Sequence, residues 1–220
     1  MKKVKTMQID PKRQTKQENY KLLIGSVLPR PIAFVTSVNE QGLVNAAPFS
    51  FFNVVATEPP LICFSCIRKP GGKMKDTARN IAGQKEFVVH IVDGKNVERV
   101  NDTSVEFPSE VSEAEMIGFE LLPGAIVRVP RIAGTRVQME CRLHQMLALG
   151  GQEGVPNADL IIGEVVQFHV DDELYQDGKI DTLALDPVSR LAGTNYGKIG
   201  KIFSLPRLSY DEWLAGNKKE

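Results

Sequence analysis

The sequence contains few cysteines and lacks both an excess of charge and a long apolar run. Three cysteines among 220 residues are too few for a disulfide framework, so we expect a reduced, cytoplasmic protein. The 27 basic residues balance the 27 acidic ones, whereas nucleic-acid-binding proteins normally carry a basic excess, so no nucleic-acid partner is predicted. Apolar runs fall short of the roughly 18 residues that cross a bilayer. Residues 1–21 also lack the apolar stretch of a secretory signal, so no membrane association is predicted.

Composition along the chain indicates one domain with two short extensions. Residues 1–16 are rich in lysine and lack apolar periodicity, which predicts a basic N-terminal arm. Residues 17–200 hold the apolar segments and are predicted to form one domain with a sizeable core, followed by a C-terminal tail over residues 201–220. Residues 95–116 are rich in Glu, Asn and Ser, which predicts short helices and surface loops without an assigned role.

Strand signals outnumber helix signals. Segments rich in apolar and β-branched residues predict strands at residues 31–38, 43–55, 61–67, 86–92, 137–144 and 160–170. Helices are predicted at residues 17–28 and from Asp76 onward, where Asp76 or Thr77 is the expected N-cap. In residues 137–144, apolar and polar side chains alternate, which is typical of a strand with one water-exposed face. These patterns predict a mostly-β domain, either a barrel or a sandwich of antiparallel strands.

A basic, glycine-containing loop precedes the second helix. From Arg68 to Arg79 the chain carries five cations against one acid, Asp76, together with the pair Gly71-Gly72. Backbone N–H groups at a helix N-terminus attract anions, and glycine lets the backbone approach a phosphate closely. The loop is therefore a candidate site for a mononucleotide phosphate. A solvated basic surface loop is the alternative interpretation.

The segment Ser50-Phe51-Phe52-Asn53 is the second candidate. Adjacent residues of a strand point to opposite faces, so Phe51 and Phe52 cannot join the same core layer. Their small and polar neighbours leave room for a flat ring system, whose edge backbone amides could contact. A strand buried on both faces explains the same residues.

Three other patterns are weaker candidates for a functional site. Cys63 and Cys66 have the spacing of a redox motif but would point to opposite faces of a strand, which favours structural cysteines. The three histidines lack metal-ligand spacing, so no metal site is predicted. A role for His169 in binding a nicotinamide or a substrate stays open. Residues 150–154 are glycine-rich but lack the Lys-Ser/Thr of a phosphate-binding loop, which favours a flexible hairpin connection.

Seven short motifs occur in order along the chain. They are PRPIAFVTS at residues 29–37, NAAPFSFFN at 45–53, PPL at 59–61, SCIR at 65–68, KDT at 75–77, IGEV at 162–165, and RLAG with Tyr196 at 190–196. In that order and spacing they resemble the flavin reductase-like, FMN-binding split-barrel proteins. That family includes flavoredoxins and the reductase partners of two-component monooxygenases. The resemblance covers about residues 17–200.

The resemblance implies a six-stranded antiparallel split β-barrel with short peripheral helices, in a homodimer with FMN near the subunit interface. It implies that the phosphate is held by Ser65, Arg68, Lys75 and Thr77. Asp76, beside them, is expected to cap the helix, because a carboxylate next to a phosphate dianion is unfavourable. The remaining cofactor-binding residues that it implies are Arg30, Thr36, Ser37, Ala47, Ser50, Phe51, Phe52, Asn53, Arg190 and Tyr196.

The same resemblance implies an oxidoreductase that transfers a hydride from NAD(P)H to FMN, with a monooxygenase or another electron-transfer protein as the implied partner. The chain has no dedicated NAD(P)H-binding domain, so a nicotinamide would stack directly on the flavin. Hydride transfer needs no acid–base side chain, in agreement with the lack of a predicted catalytic residue. Two alternatives stay open: a flavoredoxin-like FMN electron carrier without appreciable NAD(P)H turnover, and a non-flavin binding protein on the same barrel.

Overall fold

The computed structural model describes residues 5–217. The helices are α1 (Lys16–Ser26), α2 (Asp76–Gln84), α3 (Val97–Asp102), α4 (Glu113–Met116), α5 (Thr182–Leu185) and α6 (Tyr210–Asn217). The strands are β1 (Arg30–Pro31), β2 (Ala33–Val38), β3 (Val44–Phe49), β4 (Phe52–Thr57), β5 (Pro60–Ile67), β6 (Glu86–Ile91), β7 (Leu121–Leu122), β8 (Arg131–Ile132), β9 (Val137–Leu149), β10 (Ala158–Val170), β11 (Tyr175–Gln176), β12 (Lys179–Ile180), β13 (Val188–Arg190) and β14 (Tyr196–Lys198). None of the helices in the described range is long and apolar enough to cross a membrane.

Seven strands form one antiparallel sheet in the order β3-β2-β6-β9-β10-β5-β4. The two edge strands, β3 and β4, are consecutive in the chain and joined by Ser50 and Phe51. The sheet curls until β3 contacts β5, where the rings of Phe49 and Phe64 lie 4.9 Å apart. Among the described strands no ladder joins β3 to β4, so the barrel is split there. The predicted class, a mostly-β split barrel with short helices, is confirmed, with seven strands where six were expected.

The barrel has an apolar interior and a second apolar layer outside β2 and β3. Phe64, Phe87 and Ile161 are fully buried inside the barrel. On the outside, α3 and α4 cover a cluster that includes Phe34 and Ala46. The residues of β2 are therefore buried on both faces, which explains their nearly continuous apolar run.

The water-exposed face expected for the start of β9 is wrong. Val137–Cys141 are all buried, including Gln138 and Glu140. The Glu140 carboxylate accepts hydrogen bonds from three successive backbone N–H groups, at residues 125–127, and from His169 Nε2 at 2.6 Å. Although burial opposes ionisation, these bonds lower the pKa of Glu140 to about 2. A charged side chain is stable inside this strand because a distant loop supplies its donors.

A separate three-stranded sheet, β1-β13-β14, brings the C-terminal part of the domain back to the residues that follow α1. Arg30 pairs with Arg190 across β1 and β13, and Arg190 pairs with Tyr196 across β13 and β14. The small sheet therefore places three of the predicted site residues in register with one another.

Candidate functional site

Two neighbouring cavities lie along the edge strand β3. The first, of about 90 Å³, is bordered by β3, the start of α2 and the loop after α3. The second, of about 200 Å³, is bordered by the end of β3, α3 and the strands β13 and β14. Pro48 and Ser104 line both cavities, so the two form one candidate site. The predicted site residues that line it are Ala47, Lys75, Asp76 and Thr77 in the first cavity and Ser50, Arg190 and Tyr196 in the second.

The first cavity has the chemistry of an anion site. The nine-residue helix α2 begins there, and no side chain of the described residues caps it, which leaves its first N–H groups available to an anion. Lys75 occupies the N-cap position, and Lys69 and Lys75 both border the cavity. Lys69, Lys75 and the uncapped helix N-terminus form a donor set that fits a phosphate. The acidic residues Asp76, Glu106 and Glu113 border the same cavity and oppose an anion there.

The expected helix cap is wrong. Neither Asp76 nor Thr77 occupies the N-cap, because helix α2 already includes both residues. The Asp76 carboxylate instead accepts hydrogen bonds from Lys69, at 3.3 Å, and from Arg79. Burial opposes ionisation of this carboxylate, but the two cations more than compensate and lower the pKa of Asp76. Asp76 therefore holds Lys69 at the cavity rather than capping the helix.

Two buried polar residues that the sequence did not single out form the floor of the first cavity. The Asn45 side chain lies between the Thr77 hydroxyl, at 2.8 Å, and the Glu113 carboxylate, at 3.2 Å. Glu113 also accepts a hydrogen bond from the Ala46 N–H at 3.1 Å. Burial raises the pKa of Glu113, because its charged form is poorly solvated there. The Asn45 bridge thus fixes the position of Thr77 at the start of α2.

The second cavity combines apolar walls with one cation–aromatic pair. The Arg190 guanidinium donates to the Tyr196 hydroxyl at 2.6 Å and to the Gly193 carbonyl at 2.9 Å. The Tyr196 hydroxyl in turn donates to the Asn101 side chain at 2.7 Å. Apolar lining comes from Ile32, Pro48, Val92, Val97 and Val100. The cavity therefore offers a fixed positive charge beside an apolar surface, which suits a polar-edged planar ring.

Two predicted residues of β2 line neither cavity. Thr36 and Ser37 are fully buried. The Thr36 hydroxyl donates to the Pro130 carbonyl at 2.8 Å, and the Ser37 hydroxyl accepts from Asn80 at 3.3 Å. In the described structure these side chains tie the sheet to a neighbouring loop and to α2.

Arg30 is also committed to the protein itself. Its guanidinium donates to the backbone carbonyls of Ile24, Val27 and Leu191, each at 2.8–2.9 Å. Burial lowers the pKa of Arg30, although the group stays charged. Arg30 therefore holds the end of α1 against the small sheet.

Arg68 is engaged by a buried acid instead of lying free in the basic loop. Its Nε donates to the Asp159 carboxylate at 2.9 Å, and its Nη1 donates to the Gly72 carbonyl at 3.1 Å. The Asp159 side chain is 1% exposed and that of Arg68 is 16% exposed. Ser65 pairs through its backbone N–H with the Phe51 carbonyl at 2.8 Å. Neither Ser65 nor Arg68 lines the two cavities.

The aromatic segment after Ser50 also lies outside the two cavities. Phe52 packs against the interior cluster of the barrel, whereas Phe51 is half-buried with the Arg30 guanidinium 6.0 Å from its ring centre. Asn53 is exposed, and its side chain accepts from the N–H of Val54 at 2.8 Å. The two rings face different surroundings, as expected for adjacent strand residues.

The cysteines have the environment of structural residues. Cys63 and Cys66 lie on β5 with Cys63 partly exposed and Cys66 buried, and both are free. Burial raises the pKa of Cys66 to about 12, so its thiol is protonated at neutral pH and is a poor nucleophile.

Residues 103–107, in the middle of the segment 95–116 that had no assigned role, form one wall of the first cavity. Lys69 is part of the basic loop, so the composition of that loop could have indicated Lys69 as a site residue. Asn45 lies within the NAAPFSFFN motif, but Glu113 carries no local signal. These residues reach the site only because α3 and α4 fold over the outside of β3.

The sequence profile described as "Flavin reductase like domain" matches residues 24–184. The chain belongs to the flavin reductase-like family. Members of this family are flavin-related oxidoreductases, and this chain is one of them. The matched range begins in α1 and ends in α5, so it contains the whole seven-stranded barrel and the first cavity.

The similarity to several relatives extends over nearly the whole length of this chain. An uncharacterized protein of Halalkalibacterium halodurans is 54% identical over 201 residues, which are 91% of this chain and 96% of that protein. The structure of nitrilotriacetate monooxygenase component B from Bacillus cereus is 46% identical with a TM-score of 0.90, covering 92% of this chain and 100% of that one. The structure of 2-nitrobenzoate 2-nitroreductase from Pseudomonas fluorescens is 34% identical with a TM-score of 0.80, covering 93% and 98%.

Proposed function

We propose that this protein is a flavin reductase that binds FMN in the paired cavities and reduces it with NAD(P)H. The observation that carries the proposal is the uncapped start of α2 beside Lys69 and Lys75, next to the cavity of Arg190 and Tyr196. A phosphate fits the first place and a polar-edged ring fits the second. The two features are neighbours along β3, with Pro48 and Ser104 lining both cavities, and this adjacency supports a mononucleotide.

In this proposal each end of the site has a distinct task. Lys69, Lys75 and the first N–H groups of α2 neutralise and orient the phosphate. FMN, when bound, supplies the two-electron redox chemistry. Arg190, held in place by Tyr196, puts a positive charge at the ring end, which favours the electron-rich reduced cofactor. The apolar walls exclude water from one side of the ring.

We further propose that the functional unit is a homodimer in which a second copy completes the cofactor site. The two cavities, of about 90 and 200 Å³, are small for a nucleotide cofactor, since pockets for such ligands typically have volumes of roughly 300–1,000 Å³. A second copy facing the split side of the barrel would supply the missing wall. The nicotinamide would then stack on the ring from the open side.

The relative from Bacillus cereus is named as a component of a nitrilotriacetate monooxygenase, at 46% identity over the whole of that chain. This likeness supports a partner monooxygenase that receives the reduced flavin. The 2-nitrobenzoate 2-nitroreductase, at 34% identity, supports a second candidate in which an aromatic nitro compound is reduced in the site itself. The two candidates share the flavin site and differ in the electron acceptor.

An anaerobic absorption experiment tests the proposal. The purified protein is loaded with FMN, freed of excess, and titrated with NADH and then with NADPH. Prompt bleaching of the flavin band with either donor supports the reductase and identifies its donor. A band that persists with both would favour an electron carrier reduced by another protein, and a protein that retains no FMN would refute the site.

The acceptor is identified by a second addition to the reduced, anaerobic sample. Reoxidation of the flavin band by 2-nitrobenzoate supports the nitroreductase candidate. If the band stays bleached with 2-nitrobenzoate but FMN appears in the filtrate as reduced flavin, transfer to a separate monooxygenase is supported.

A further inference from the structure

The C-terminal arm, residues 199–217, carries large apolar side chains that the rest of the described chain leaves uncovered. The following residues of the arm are all more than half exposed: Ile202, Phe203, Leu205, Leu208, Tyr210 and Trp213. Phe203 and Leu205, for example, are 71% and 82% exposed. Side chains of this size are usually buried, and a contiguous exposed set indicates an interaction surface.

The arm ends in a helix none of whose described side chains is fully buried. At the start of α6 the Ser209 N–H donates to the Glu212 carboxylate at 2.7 Å, and the Glu212 N–H donates to the Ser209 hydroxyl at 3.3 Å. The rings of Tyr210 and Trp213 stack with centres 6.4 Å apart. An eight-residue helix is marginal in water by itself, so this well-capped helix needs a surface to pack on.

Apolar side chains are also uncovered on two other elements, helix α1 with its C-cap and the edge strand β4. We name these together the α1–β4 face, and its exposed members are Leu22, Leu23, Val27, Val54 and Val55. Helix α1 buries only Ile24 in its own chain, and β4 is an edge strand of the sheet. The face therefore combines an unpartnered helix with an unpartnered strand edge.

Both surfaces are attached to the small sheet at the second cavity. The arm leaves directly from β14, and α1 leads directly into β1, whose partner β13 lies between β1 and β14. Strand β1 also contacts β4. We propose that the arm of one protomer packs on the α1–β4 face of a second copy, so that the two copies exchange C-terminal arms.

A second copy fits both surfaces better than an unrelated partner does. In a twofold dimer each arm covers one α1–β4 face, so the two exchanged contacts leave neither apolar surface in water. A foreign protein that covered only one of them would leave the other exposed. The proposal rests on the homodimer inferred above and adds which segments hold it together.

Trp213 is the only tryptophan of the chain and lies in the arm, so its fluorescence reports the arm directly. The FMN-free protein is diluted through the dimer–monomer transition, followed in parallel by sedimentation velocity. Docked arms predict a blue-shifted, quencher-protected emission in the dimer that moves to the red on dilution. We expect Leu205→Glu in the arm and Leu23→Glu on the α1–β4 face each to weaken the dimer about tenfold or more and to expose Trp213.

Matched controls introduce the same glutamate at exposed polar positions of the same arm and the same helix. Ser204→Glu in the arm and Gln17→Glu on α1 should leave both the dimer and the Trp213 emission unchanged. All four substitutions are at exposed positions, so circular dichroism should show an intact fold in each.

A mixing experiment tests whether the contact is made between chains. Leu23→Glu protein, whose own face is defective, is mixed with an excess of Trp213→Phe protein, which has no tryptophan but an intact face. Arm exchange predicts a blue shift of the remaining tryptophan on mixing. A dimer whose Trp213 stays exposed and unaffected by mixing would overturn the arm proposal while leaving the homodimer. A monomer at all concentrations would overturn both, and FMN retention is judged separately from absorbance.

Discussion

Lys75 stands at the uncapped start of α2 and borders the first cavity. Lys75→Ala should weaken FMN binding by about 1.5–3 kcal/mol, the usual contribution of a charge-assisted hydrogen bond, which corresponds to roughly a tenfold to hundredfold rise in Kd. Equilibrium titration monitored by flavin fluorescence measures it. The matched control is Lys73→Ala, which removes an exposed lysine of the same loop outside the cavity. Equal losses in the two variants would indicate a general charge effect and contradict a phosphate contact.

Arg68 carries a different expectation, because it neutralises a buried acid. Arg68→Ala leaves the Asp159 carboxylate, 1% exposed, without its cation and should lower the free energy of unfolding by about 3 kcal/mol. The control is Arg128→Ala, which breaks a pair with Glu86 in which the arginine is 75% exposed, and should cost no more than about 1 kcal/mol. Urea denaturation measures both, and Arg68→Ala/Asp159→Asn should recover part of the loss. A stability unchanged by Arg68→Ala would contradict a structural ion pair.

Within the strands, packing tolerance can be tested at a glycine of β10. A Cβ on Gly163 would overlap the Phe87 ring, which is fully buried in the closely packed interior of the barrel. Gly163→Ala should therefore destabilise the barrel by about 1–3 kcal/mol. Gly83→Ala in α2 meets nothing within 4 Å and should stabilise the protein by about 0.5–1 kcal/mol. Thermal unfolding of the two variants should move in opposite directions, and a neutral Gly163→Ala would show that the interior is loosely packed.

His90 connects three elements, and its burial should make the free energy of unfolding decrease at acidic pH. Its Nδ1 donates to the Phe34 carbonyl of β2 at 2.9 Å, and its Nε2 accepts from the Ile132 N–H of β8 at 3.0 Å, so the ring is neutral. Complete burial lowers the pKa of His90 from 6.5 to about 4. The unfolded chain therefore binds this proton more readily than the folded one. The stabilising contribution is complete above pH 6.5 and decreases as the pH falls from 6.5 to about 4.

Chemical denaturation between pH 7 and pH 4 measures this effect. The free energy of unfolding should fall by up to about 3 kcal/mol over that range in the parent protein. In His90→Gln the amide replaces the ring as donor and acceptor without titrating, so the variant should be less stable at pH 7 but show a much flatter profile. If the free energy of unfolding fell equally with pH in the two proteins, groups other than His90 would be responsible for the decrease.

At the scale of the whole molecule, FMN binding and dimer formation should be coupled. If a second copy completes the site, the cofactor binds the dimer more tightly than the monomer, and by linkage it strengthens the dimer to the same degree. Saturating FMN should lower the dimer dissociation constant by roughly fivefold or more, measured by sedimentation velocity. Lys75→Ala at the same FMN concentration should show a smaller shift. A dissociation constant that does not respond to FMN would contradict a shared site.

Sequence patterns confined to one segment predicted the secondary structure of that segment well. The apolar runs at residues 61–67 and 86–92 are strands β5 and β6. Every second residue of β5 from Ile62 to Cys66 is buried, whereas Phe87 to His90 of β6 are buried on both faces. The basic loop does lead to a helix N-terminus that borders a cavity. Patterns that depend on distant partners were misjudged, as Glu140 shows: its alternation with apolar neighbours is typical of an exposed face, yet residues 125–127 bury it.

The sequence by itself determined the mostly-β class, the order of the strands along the chain, and the family, because side-chain periodicity and local motifs depend on neighbours a few residues apart. Only the tertiary structure decided which residues share the site. Lys75 and Tyr196 are far apart in sequence and border neighbouring cavities, whereas Arg68, inside the predicted phosphate loop, is turned toward Asp159. The physical reason is that a buried carboxylate requires a cation or hydrogen-bond donors, and these come close to it only when the barrel curls and the outer helices pack.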